Sequence, residues 1–139
     1  MLSRRRTGRA AVPRAVAAAS LLVCTASGCG SIQTSAKQVA NQFHEAVGAE
    51  DWSTACNLLA PQTRGELEQS SGEQCSRALE QEHLPAAGAI TAFSGFGTMA
   101  QVSFEEDTVF VAEFLRGWKV MAAGCTPVTG RPYDCRVKA

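Results

Sequence analysis

At Pro85 the apolar spacing of the chain changes from a repeat near 3.6 residues to a repeat of two, which limits the fold more than any other feature. Before that point Ala36, Val39, Ala40, Phe43 and Val47 form one stripe until Gly48, with Ser35 and Gln38 as a capping box at its start. Asp51 suits the N-cap of a second helix, whose stripe of Trp52, Ala55, Cys56 and Leu59 is expected to face a sheet. Pro61 ends that helix or opens a further turn through Leu67. Ser71 and Gln74 offer another capping box, ahead of a helix with Cys75, Ala78 and Leu79 on one face that breaks at His83-Leu84-Pro85. Beyond Pro85, residues 90–96, 99–104, 108–116 and 118–124 read as strands, turning at Glu105-Glu106-Asp107 and Arg116-Gly117. The third strand alternates Val109, Val111, Glu113 and Leu115 with Phe110, Ala112 and Phe114, apolar on both faces. The expected fold class is α+β, with N-terminal helices packed on a curved antiparallel sheet.

The chain begins with an export pattern. Arg4, Arg5, Arg6, Arg9 and Arg14 make a charged start, residues 15–23 an apolar run, and Ala26-Ser27-Gly28-Cys29 resembles a bacterial lipobox. Small Gly28 suits a signal peptidase, whereas Val23 before Cys24 is branched and bulky, so cleavage is expected ahead of Cys29. The reading divides the chain into a signal peptide at 1–28, a lipidated tether at 29–35 and a domain at 36–139. The apolar run is shorter than the roughly 18 residues a transmembrane helix needs. Lipid on Cys29 would hold the protein on the outer face of the bacterial cell membrane, reached by the general or the twin-arginine route.

Removing the leader changes the charge balance. The full chain carries 13 basic and 13 acidic residues. Residues 29–139 keep 8 of those basic residues against all 13 acids, a formal charge of −5. The cations are scattered, without the basic face interleaved with aromatics that marks nucleic-acid binding.

With Cys24 in the leader and Cys29 lipidated, Cys56, Cys75, Cys125 and Cys135 form an even set in an exported chain. Of three pairings, Cys56 with Cys75 and Cys125 with Cys135 is favoured because each pair brackets turn-forming sequence. A zinc site lacks any CxxC or histidine at usable spacing.

The passage from Gly48 through Asp51-Trp52 to Leu58-Leu59-Ala60-Pro61, and the ending Gly117-Trp118-Lys119-Val120, Cys125-Thr126-Pro127 and Pro132-Tyr133-Asp134-Cys135, resemble the NTF2-like (SnoaL-like, cystatin-like) fold, in particular its small actinobacterial lipoproteins. The resemblance spans about residues 36–139 and implies a helix-filled cone of sheet. That family contains isomerases, dehydratases, cyclases and members without known activity. Its enzymes line the cone with Asp, His or Tyr, because an enolising carbon needs a base and an oxyanion donor.

The candidates for such chemistry are few. His44 lies about 100° round the helix from the buried stripe, at its boundary. Glu113 shares a face with Val109 and Val111 and is the candidate pocket carboxylate, with solvation at an edge as the plainer outcome. Tyr133 falls in the disulfide loop, and Glu105-Glu106-Asp107 reads as a solvated charge run. No catalytic residue, metal or cofactor is assigned, and no nucleophile elbow, zinc-binding or phosphate-loop motif occurs. The functional expectation is a non-catalytic module that binds a small apolar ligand or an envelope protein, with a small isomerase or dehydratase as the alternative.

Overall fold

The computed structural model describes residues 28–139, with side chains from Gly30 onward. Residues 1–27, all but the last residue of the signal peptide expected at 1–28, lie outside the described residues with Cys24 and Ala26, as does the side chain of Cys29. Four helices, α1 (Gly28–Gly48), α2 (Trp52–Leu58), α3 (Pro61–Ser71) and α4 (Cys75–Gln81), precede five strands. These are β1 (Ile90–Phe96), β2 (Met99–Phe104), β3 (Thr108–Phe114), β4 (Gly117–Val128) and β5 (Arg131–Lys138), joined in sequence order into one open antiparallel sheet. The class is α+β. Among the described residues no helix is long and apolar enough to cross a membrane.

The expected stripe of α1 is buried at Ala36, Val39, Ala40, Phe43 and Val47. It packs with Val102, Val109, Val111, Val120 and Val137 from the inner face of the sheet. The alternate residues Gln101, Phe110 and Ala112 are only half-buried. Ser35 does not cap α1. The helix runs through it from Gly28, and Thr34 Oγ1 donates back to the Gly30 carbonyl at 2.8 Å. Once the buried half forms a nucleus, extending it by two turns costs little even through weak helix formers. At the other end Glu50 takes a left-handed conformation at φ 57°, and Asp51 Oδ1 accepts the Thr54 amide at 3.1 Å to start α2.

Four further expectations are corrected. Ser71 ends α3 instead of capping α4, its hydroxyl donating to the Leu67 carbonyl at 2.7 Å. Glu68 Oε1 takes the Cys75 amide at 3.2 Å instead. Trp52 is half-buried against the core, because α2 starts at the edge of the helical layer. Residues 131–138 form a fifth strand in place of the expected disulfide loop. Pro132 is compatible with it because β5 is an edge strand. The third strand ends at Phe114, leaving Leu115 in the turn.

Both expected disulfides are present. Cys56–Cys75 joins α2 to α4 through buried faces, and Cys125–Cys135 links directly opposed residues of β4 and β5.

Two predictions follow from this packing. Phe43→Ala should cost about 3 to 5 kcal/mol in denaturant unfolding because its ring is wholly enclosed, whereas half-buried Trp52→Ala should cost about 1 to 2 kcal/mol. Equal losses would show that Trp52 is core after all. The Thr54 side chain, and then its backbone amide, bond the Asp51 carboxylate and hold its pKa below the usual aspartate value. A depressed native pKa gives stability that is full above the unfolded value, near 3.9, and is lost as pH falls through the native one. Asp51→Asn should therefore flatten part of the acid limb of the stability–pH curve, and an unchanged limb would contradict the cap.

Candidate functional site

The polar centre of the molecule is Asp107, a residue that local charge density places in water. Its backbone closes the β2–β3 turn, where its carbonyl accepts the Phe104 amide at 2.7 Å. Glu105 and Glu106 stay exposed, and their amides bond the Ala89 and Ala87 carbonyls, each at 3.0 Å. Glu105 Oε2 also accepts the Ala89 amide at 3.0 Å. These contacts turn the two glutamates outward and the third acid inward.

Inside, the Asp107 carboxylate accepts three backbone amides: Thr108 at 2.6 Å, Cys125 at 2.8 Å and Gly124 at 3.1 Å. Gly124 sits at φ 66°, and a Cβ there would lie 2.7 Å from Leu84 Cδ2, so only glycine presents this amide without displacing a neighbour. The fourth contact comes from α1. His44 Nε2 lies 2.8 Å from Asp107 Oδ2, with the two side chains 7% and 0% exposed. The contact is short but off the N–H axis, so Nε2 is a buried nitrogen without an aligned hydrogen bond. Phe43 and Phe104 meet the imidazole edge-on, at centroid distances of 5.5 and 4.8 Å. The helix boundary position of His44 thus points at the sheet, and the rings fix its orientation.

His44 also lines an open surface cleft of about 420 Å³ with Trp52, Glu50, Glu80, His83 and Leu84. Its ten lining residues include no serine, threonine, cysteine or tyrosine that could act as a nucleophile. His83 is held at φ 47°, its Nδ1 2.6 Å from the Gln81 carbonyl oxygen, and Arg136 donates to the Glu82 and His83 carbonyls at 3.1 and 2.6 Å. Among the described residues no group of three His, Cys, Asp or Glu side chains could hold a metal ion.

Glu113, the other candidate, is exposed at the end of β3 opposite Trp118, away from this cleft. Strand alternation gave its face correctly but not its height, for β3 there passes beyond the buried part of the core. Tyr133 is on β5, where its hydroxyl accepts from Gln101 Nε2 at 2.9 Å and its ring meets Phe110 at 5.1 Å. It belongs to the outer face of the sheet, where the loop reading did not place it. The site residue missed in sequence is Asp107; its weak signal was the continuation Asp107-Thr108-Val109 straight into an apolar strand.

No protein-family model, curated protein or solved structure matches the chain.

Asp107→Ala would leave three buried amides without an acceptor, each costing on the order of 1 to 3 kcal/mol, so unfolding should lose about 3 kcal/mol or more. Glu106→Ala, one residue away and exposed, should stay within about 0.5 kcal/mol of the parent. Similar values for the two would mean that the inward carboxylate does not organise the turn.

Proposed function

We propose that the protein is a lipid-anchored, exported module that binds a ligand or partner at the outer face of the cell membrane without catalysis. The observation that carries the reading is the arginine-rich, apolar leader ending in Ala26-Ser27-Gly28-Cys29. The two disulfides of the domain behind it suit an oxidising compartment. Two acyl chains, each stabilised by about 0.8 kcal/mol per buried CH₂, hold a protein stably at a bilayer.

The finer architecture we infer is an NTF2-like cone. Support comes from helices preceding the sheet, and from register shifts between Ile90 and Ala92, Phe110 and Val111, and Thr126 and Val128, where strands bend. The space between helices and sheet is filled by Phe43, Leu79 and the inner valines, which favours surface binding over an enclosed reaction chamber. The open cleft beside His44, with Trp52 and Leu84 as apolar walls, is the binding surface this reading assigns to a small ligand or an envelope protein. A second reading, a small isomerase or dehydratase, has the His44–Asp107 contact in its favour, with His44 as base and Asp107 as its positioning residue. Against it stands the filling of the space between helices and sheet, which leaves no enclosed chamber beside His44 for an enolising carbon.

The anchor is tested by Cys29→Ser in the full chain. The parent should follow the detergent phase on partitioning, and the variant should remain uncleaved or lose the lipid-dependent partition. Identical lipidation and partitioning of the two would remove the lipobox reading.

A further inference from the structure

The four exposed large apolar side chains of the described structure, Ile32, Phe96, Met99 and Leu115, are 41%, 65%, 46% and 109% exposed. Their positions coincide. Phe96 and Met99 flank the β1–β2 turn, where Phe96 pairs with Met99, and Leu115 occupies the β3–β4 turn after Phe114 pairs with Gly117. In a meander these two turns lie at the same end of the sheet, and the Glu113 amide donates to the Thr98 carbonyl at 2.8 Å to join them.

The N-terminal half of α1 arrives at that end too. Lys37 Nζ stands 5.6 Å from the Phe93 ring centroid on β1, and Ser35, Gln38 and Val39 share a groove with Arg116, Gly117 and Trp118. Residues 30–35 are all exposed and Ala36 is the first buried one, so the helix projects roughly 10 Å from the packed body toward Cys29 at 1.5 Å per residue. Ile32 lies on this projection.

Charge follows the same axis. Lys37, Arg116 and Lys119 stand at the end with the apolar turns, the Lys119 ammonium donating to the Asn57 carbonyl at 2.6 Å, and Glu113 is an acid at that end. At the opposite end are Glu50 and Asp51 in the α1–α2 turn, Glu80 and Glu82 at the end of α4, and Glu105 and Glu106 in the β2–β3 turn, with Arg131 at the β4–β5 turn and Arg136 as cations among them. Beside Leu115 an apolar depression of about 290 Å³ is lined by Pro61, Phe114, Arg116 and Lys119. Long basic side chains bordering an apolar patch can lay their stems along it and raise their charges to a phosphate layer.

We propose that this rim is a membrane-docking surface, seating the two hairpin turns and the projecting start of α1 in the headgroup layer of an anionic phospholipid bilayer. The inference rests on the lipid-anchor reading, because lipid on Cys29 would bring this end to the membrane. A second signal beyond acyl chains is what peripheral proteins use to fix an orientation at the surface. Docked this way, the His44 cleft and the acidic end point away from the bilayer.

The test uses the lipidated full-length protein in phosphatidylcholine–phosphatidylglycerol vesicles with brominated acyl chains. Leu115→Trp should lose its added fluorescence about twofold or more on these vesicles relative to unbrominated ones, while Glu106→Trp at the far end should not change. Adding Phe96→Asp to Leu115→Trp should relieve most of the quenching while detergent partitioning persists, since both side chains are exposed and folding does not depend on them. Full partitioning with no quenching at Leu115→Trp overturns the docking surface and leaves the anchor standing. So does equal quenching at both positions, or a dimer that shields the rim from bromine. Failure to partition at all removes the anchor reading itself.

Discussion

A carboxylate in the interior of a small domain must be surrounded by donors before the chain can close over it, and Asp107 satisfies this through three backbone amides. Those donors sit at the start of β3, at Thr108, and far along β4, at Gly124 and Cys125. The Gly124 and Cys125 amides can reach the turn only if β4 bends there, which the left-handed Gly124 allows. They also need the end of β4 to stay in place, and Cys125–Cys135 ties it to β5. The turn, the bend, the disulfide and the approach of α1 through His44 therefore depend on one side chain.

The disulfides act where α1 does not. Cys56–Cys75 joins two seven-residue helices, too short to be stable alone, and turns α2 and α4 into one unit beside the sheet. In a chain-entropy account closing such a loop contributes about 3 kcal/mol, a substantial part of the stability of a domain this size. Large apolar side chains contribute the rest, Phe43 and Leu79 from the helices against a floor of valines.

What could be read in the sequence was the part governed by short-range period. The α1 stripe, the disulfide pairing and the strands β1 and β2 are where alternation and spacing put them, because burial of one face imposes that spacing locally. The misreadings share another cause: a residue's partner lay far along the chain. Asp107 looked solvated because its neighbours are glutamates, while two of its amides lie 17 and 18 residues onward. Strand β5 was hidden because Pro132, Asp134 and Arg136 dilute its apolar pattern, and pairing with β4 decides its conformation. Ser71 is the local exception: it has the spacing of a cap, but its hydroxyl bonds the Leu67 carbonyl and Glu68 takes the Cys75 amide. For the candidate site, His44 was legible as a boundary residue; its buried carboxylate partner was not, since that contact spans helix and sheet.

Helix α1 links the two ends of the molecule. Its 21 residues make a rod of roughly 30 Å, with the start projecting from the rim of exposed apolar side chains and the far half carrying His44 to Asp107. Between these points Ala36, Ala40 and Phe43 are fully enclosed, so the rod cannot tilt without opening the core along its length. Nor can it slide by one residue without turning its stripe by about 100° and removing the imidazole from the carboxylate. The orientation of the rim is therefore fixed relative to the cleft beside His44. A protein held at its N-terminus would present that cleft in one direction, set by the packing of α1.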